Sequence, residues 1–263
     1  MEQLLKNKVA VVYGAGPIGS AVSKAFAAEG ATVYLVAHSE RRTKSLAEKI
    51  NTAGGKAITA IADVLNKESV DAVIQKIVDE TGRLDISFCA TNFSEGKSEQ
   101  GLALSEIDYE IFSTPMHHFL KSQFLTTQAA ARQMTKQKSG VLLMITAIPS
   151  RMPIPYTTGF GPAWAAMEAM SRTLAAELGS LGIRSVVLHS AGSPEAQESI
   201  DSTFSKRPEV ETRIKEWKFI HRNLLNRWPT LAEVGNMAAF MVSDKASVTT
   251  AAMVNLTGGM TDL

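Results

Sequence analysis

The sequence predicts a doubly wound α/β fold: one parallel sheet with helices on both faces, in a single domain. Three observations carry this expectation. Short β-branched runs alternate with longer helical patterns along the whole chain. Those runs are apolar throughout, as parallel strands covered on both faces must be. Glycines stand where the helical patterns should stop.

The run 9–13 (Val-Ala-Val-Val-Tyr) predicts the first strand, and a helix over 18–29 follows, stopped by Gly30. Residues 32–37 predict a second strand and 40–53 a second helix, ending at Gly54-Gly55. A strand at 57–62, a helix at 67–81 closed by Gly82, and a strand at 84–89 complete the first half. The pattern over 105–135 is helical, with a break expected at Pro115, which lacks an N–H and crowds the preceding turn. A strand at 140–146, a helix at 160–181 closed by Gly182, and strands at 183–189 and 248–256 finish the sheet. Residues 193–228 depart from this alternation, being polar and charged and holding Trp217, His221 and Trp228. An insertion near the carboxyl ends of the strands predicts a lid over the site. No linker or internal repeat divides residues 1–263.

With 27 Lys+Arg against 26 Asp+Glu the net charge is +1, which excludes a strongly electrostatic nucleic-acid binder. A 45% hydrophobic and 20% charged composition supplies a large core and argues against disorder. The single cysteine, Cys89, excludes an internal disulfide and any multi-cysteine metal site, and fits a reducing compartment. No metal-ligand spacing such as H-x-x-x-H occurs, and no 18-residue apolar run suggests a membrane span. A cytoplasmic protein is expected.

Gly14-Ala15-Gly16-Pro17-Ile18-Gly19 is a G-x-G-x-x-G set between a predicted strand and a predicted helix, the context a dinucleotide-binding, Rossmann-like turn requires. Gly14 permits the tight turn, Gly16 lets backbone approach a pyrophosphate, and Gly19 lets helix and strand pack closely. Pro17 suits the first helical turn, and the helix N-terminus offers positive potential to phosphates. A glycine turn kept only for packing is the alternative. After Val36-Ala37 the chain reads His38-Ser39-Glu40-Arg41-Arg42. No acidic residue precedes Glu40 to hold the ribose hydroxyls of NAD, whereas His38, Ser39, Arg41 and Arg42 suit a 2′-phosphate. This favours NADP, with NAD less suited. The two arginines equally fit a solvated helix face.

These features, with Lys8-Val9-Ala10-Val11-Val12, Ala62-Asp63-Val64, Gly82-Arg83-Leu84-Asp85-Ile86 and the tail at Gly258-Gly259, resemble the short-chain dehydrogenase/reductase family over nearly the whole chain. The resemblance implies that Asp63 and the backbone at Val64 contact adenine. It also implies a homodimer or homotetramer formed through the helices at 105–135 and 160–181. The family's catalysis uses Asn, Ser, Tyr and Lys. By resemblance the Tyr and Lys positions fall on Phe160 and Trp164, the Ser position on Ala147, and the Asn position on Phe119, or on His118 if the register shifts by one. The family's Asn-Asn-Ala-Gly turn reads Cys89-Ala90-Thr91-Asn92, and its glycine loop is one residue longer than the loop here.

Phe160 has no ionisable proton and Trp164 no cation, so the family's acid–base pair cannot operate. Losing one positioned acid costs about 10²–10⁴ in rate. Tyr156, four residues before Phe160, is the best displaced acid; Thr146, His117, His118 and His189 lie near predicted strand ends. Cys89 has no evident base and reads as an inert thiol. Two functions stand: an atypical oxidoreductase or related chemistry on this scaffold, or a catalytically silent binding or subunit protein. Its small-molecule ligand is not legible, and the fold does not choose.

Overall fold

The computed structural model describes residues 3–91, 101–196, 208–220 and 223–260. Its strands are β1 (Val9–Tyr13), β2 (Thr32–Ala37), β3 (Lys56–Ile61), β4 (Ile86–Cys89), β5 (Gly140–Ala147), β6 (Ile183–Ser190) and β7 (Ala252–Leu256). They form one parallel sheet in the order β3-β2-β1-β4-β5-β6-β7. The helices are α1 (Pro17–Ala28), α2 (Glu40–Thr52), α3 (Lys67–Thr81), α4 (Tyr109–Gln137), α5 (Phe160–Leu178), α6 (Pro208–Ile220) and α7 (Leu231–Val242).

Strand alternation divides the core in two. Ala10 and Val12 of β1 join Phe26 of α1, Leu46 of α2 and Ala238 of α7 on one face. Val9, Val11 and Tyr13 join Ile77 of α3, Leu125 of α4 and Leu178 of α5 on the other. Both faces of β1 are therefore buried, which is why its sequence is apolar at every position. α1 and α7 approach closely: a Cβ on Gly235 would lie 2.8 Å from the Ala21 carbonyl oxygen.

Element boundaries follow identifiable hydrogen bonds. α3 spans the predicted residues because the Asn66 side chain accepts from Ser69 N–H at 2.8 Å, and Gly82 closes the helix at φ 75°. β4 begins two residues later than expected, because the Gln137 amide occupies both the N–H and the carbonyl of Leu84 at 2.9 Å each. β7 begins at Ala252 and not at 248: Val248 is exposed and Ala251 adopts φ 54°, which no strand accommodates. The helix expected to end at 181 ends at Leu178, with a 3₁₀ turn over Gly179–Leu181.

Pro115 does not break its helix. α4 runs unbroken from Tyr109 to Gln137, and the expected start at 105 is replaced by turns. The proline sits near the N-terminal end, where it costs one backbone bond, and the chain before α5 presses onto this turn. A Cβ on Gly159 would overlap the Phe112 carbonyl and stand 3.0 Å from Pro115 Cγ. Tertiary packing overrides the local preference.

Candidate functional site

The sheet order reverses between β1 and β4, and the glycine turn stands at the carboxyl end of that junction. Gly14 has φ 100° and donates its N–H to Val36 O at 2.7 Å, tying the turn to β2. A Cβ at Gly14 would lie 2.7 Å from the Ala90 carbonyl oxygen beyond β4, and one at Gly19 would overlap the Gly14 carbonyl. A Cβ at Gly16, in contrast, would meet nothing within 4 Å. Two of the glycines are thus demanded by the protein's own packing. The third leaves open surface at the N-terminus of α1, where no side chain caps the helix. These residues fit the pyrophosphate of a dinucleotide, which first-turn N–H groups without an intrahelical partner would hold. Pro17 begins α1, and Ile18 packs half-buried against the core.

Past β2, His38, Ser39, Arg41 and Arg42 are all exposed, with Ser39 at the N-cap of α2. Glu40 is held by Lys44 at 2.8 Å. Val64 is buried; Asp63 is half-buried, and its Oδ1 accepts from Leu65 N–H at 2.9 Å, fixing the turn after β3. Glycine turn, β2 end and Asp63 turn all lie at carboxyl ends of adjacent strands.

Ala147 ends β5, and Phe160 begins α5. Phe160, Trp164 and Phe119 of α4 pack ring against ring, with centroids 5.2, 5.7 and 5.8 Å apart. Met116, Leu120 and Met167 surround them. His118 sits edge-on to Phe119 at 5.7 Å, and burial pushes its imidazole pKa down, against the pull of Asp63. Tyr156 is half-buried at φ 63° in the loop before α5. Cys89 is buried, which raises its thiol pKa despite a 3.4 Å contact with Thr91 Oγ1.

A polar cluster lies beside the aromatic one. Glu168 of α5 accepts at Oε1 from Thr146 (3.0 Å) and Ser150 (2.6 Å), and at Oε2 from Arg151 Nε (3.0 Å). His189 Nδ1 stands 3.2 Å from Thr146 Oγ1 and 3.5 Å from Ser150 Oγ. Ser150 and Glu168 face the same ring nitrogen, whereas a nucleophilic triad needs them on opposite nitrogens. Ser150, Arg151 and Glu168 were absent from the sequence expectations. Ser150 and Arg151 follow β5 while Glu168 lies in α5, at no motif spacing, so no local signal marked them.

In the expected lid, α6 carries Trp217, which packs with Ile148, Met152 and Met260; Trp228 borders the same cluster. Asn92, residues 197–207 and His221 lie outside the described residues. Among the described residues no cluster has the make-up of a metal site, and no helix is long and apolar enough to cross a membrane.

This turn, sheet order and strand-end site define a dinucleotide-binding oxidoreductase fold. The family model for enoyl-(acyl carrier protein) reductase matches residues 14–261, and the chain belongs to that family of short-chain dehydrogenases/reductases. It is 31% identical over 213 residues to a short chain dehydrogenase of Pseudocercospora fijiensis, covering 79% of this chain and 67% of that one. It is 29% identical to the 3-oxoacyl-[acyl-carrier-protein] reductase FabG of Chlamydia muridarum, over 99% of this chain and all of that one. The structure of gox2181 superposes with TM-score 0.86 at 24% identity, covering 99% and 98% of the two chains. An NAD⁺-bound xylitol dehydrogenase superposes with TM-score 0.83 at 20% identity, covering 97% and 99%.

Proposed function

We propose that this protein binds NADP(H) and runs an atypical oxidoreductase or related reaction without the family's Ser-Tyr-Lys residues. The observation that carries the reading is the pairing of an open glycine cradle at Gly16 with a β2 end that lacks a carboxylate before Glu40. Gly14, Gly16, Ile18 and Gly19 hold the pyrophosphate side. His38, Ser39, Arg41 and Arg42 hold the 2′-phosphate, and Asp63 and Val64 border adenine. When bound, the nucleotide supplies hydride transfer.

Phe119, Ala147, Phe160 and Trp164 stand in place of the Asn, Ser, Tyr and Lys of the family. Here they exclude water from the floor of the site and offer no proton. Tyr156 is the phenol nearest in sequence to the Phe160 position and is the proposed displaced acid. Of the 193–228 stretch, the described part that carries Trp217 and Trp228 serves as the lid. The protein works in the cytoplasm as a homodimer or homotetramer. The names of the relatives make 3-oxoacyl and enoyl thioesters the first substrates to assay.

A catalytically silent binding or subunit role is the second reading. The ring-to-ring packing of Phe119, Phe160 and Trp164 favours it, because three aromatic faces fill the region with apolar atoms. Fluorescence titration with NADPH and NADH tests the cofactor assignment. Tighter binding of NADPH is expected, and equal affinity or a preference for NADH overturns it. Binding without turnover of any assayed thioester selects the silent role.

A further inference from the structure

β3 stands last in the sheet order, with β2 on one side and a free edge on the other. Such an edge presents a row of N–H and C=O groups to any extended chain that approaches. Ala62 N–H donates to Ala37 O at 3.4 Å, toward β2. Alternation along the strand therefore turns the backbone groups of Ala57, Thr59 and Ile61 the other way, to the free edge. At Ala57 those groups are taken by Asn51 of α2. The Ala57 N–H donates to Asn51 Oδ1 at 2.7 Å, and the Ala57 carbonyl accepts from Asn51 Nδ2 at 3.1 Å. One side-chain amide thus makes the pair of bonds that a residue of an antiparallel strand would make. The turn between the elements places it there. Gly54 adopts φ 86°, and a Cβ on Gly55 would lie 2.9 Å from Ile50 Cγ2, so the chain doubles back with Asn51 beside Ala57.

The strand behind this amide has a self-pairing composition. Residues 57–62 read Ala-Ile-Thr-Ala-Ile-Ala, without charge, proline or glycine, the make-up of segments that pair with copies of themselves. Ile61, on the outward row, is 57% exposed. We infer that Asn51 guards the β3 edge, and that the partner it keeps out is β3 of a second copy of this chain. Two such edges meeting antiparallel would be related by a two-fold axis, each giving and receiving the same bonds, and would join two sheets into one. With Ala57 capped, Thr59 and Ile61 alone remain on the outward row, and the amide stands in the lane the incoming strand would use. With Ala57 uncapped the row has three members and the lane is clear. The surface lies outside α4 and α5, and its role is independent of the nucleotide reading.

The test is sedimentation velocity of the full chain and of Asn51→Ala across the micromolar range, with melting temperature and circular dichroism recorded beside it. Alanine suits a helix, so α2 should persist in the variant. The variant should double the native assembly, whatever its size, while its circular dichroism stays native. Amide exchange at residues 57–61 should slow about tenfold or more as concentration rises and ladder bonds form. Asn51→Ser, too short to bridge both groups of Ala57, should behave alike and serves if the alanine variant fails to fold. Adding Ile61→Lys to Asn51→Ala should abolish the association, because a charge on an edge blocks pairing. A folded variant that keeps the native assembly at every concentration overturns the inference. So does association that survives Ile61→Lys, which places the contact elsewhere, or association that appears only together with loss of native circular dichroism, which traces it to unfolding.

Discussion

Glu168 Oε1 lies 3.4 Å from His189 Nδ1, with both side chains at 5% exposure or less. Burial alone would raise the Glu168 pKa. Hydrogen bonding with His189, Ser150 and Thr146, and the charge of Arg151, outweigh burial and hold the carboxyl at about 2. A carboxyl depressed in the folded state stabilises the fold above its ordinary range, near 4.5 here, and that contribution is lost as pH falls toward 2. Urea midpoints should therefore drop between these values in the native chain, and less steeply in Glu168→Gln. At neutral pH Glu168→Ala should cost about 1–3 kcal/mol, since it strands buried donors while half-exposed Arg151 rehydrates. Parallel pH profiles for native and variant chains would exclude this role.

The glycine turn yields a paired prediction. Gly19→Ala would drive a Cβ into the Gly14 carbonyl and should lower the melting temperature sharply. Gly16→Ala meets no atom of the protein, and its φ of −73° suits alanine. It should cost at most about 1 kcal/mol, as a weaker N-cap. NADPH affinity should nevertheless fall about tenfold or more, through the methyl group added at the pyrophosphate. A Gly16→Ala protein that binds NADPH normally places the nucleotide elsewhere.

Turnover is the third prediction. Ordinary ketones and alcohols should show negligible NADP-linked rates, because Phe160, Trp164 and Ala147 supply neither proton, cation nor hydroxyl. Phe160→Tyr combined with Trp164→Lys should fail to restore full activity. Grouped catalytic residues act non-additively, and Phe119 and Ala147 would remain. Rapid turnover by the native chain contradicts this. Tyr156→Phe then decides whether that phenol is the acid: an abolished rate assigns it, an intact rate removes it.

Assembly is the fourth. Phe124 of α4 is 51% exposed in the isolated chain. If α4 and α5 carry the subunit contact, light scattering at micromolar concentration should report a dimer or tetramer, and Phe124→Lys should shift it toward monomer. A native monomer rules the contact out.

The sheet and its turn were legible in the sequence because their causes are local. β1 is apolar at every position since both faces are covered, and Asn66 and Gly82 bracket α3 by capping chemistry alone. Where long-range contacts decide, the sequence misleads. The Gln137 amide shortens β4 from 53 residues away, and α4 continues unbroken through Pro115 where the Gly159 backbone packs against it. The cluster around Glu168 was illegible for the same reason: His189, Thr146 and Ser150 meet it only through sheet register and helix placement.

Gly235 never approaches the nucleotide side of α1, yet it sets where α1 lies. A larger residue there would push against Ala21 and Ala25 and displace the helix as a rigid rod. The glycine turn at its head and Lys24 on its outer face would move together. A random-mutagenesis screen for lost nucleotide binding would then return position 235 beside the direct contacts. Its apparent role in recognition would be that of a wedge behind the helix, pressing on the Ala21 backbone, which no trimming of a side chain on α1 would relieve.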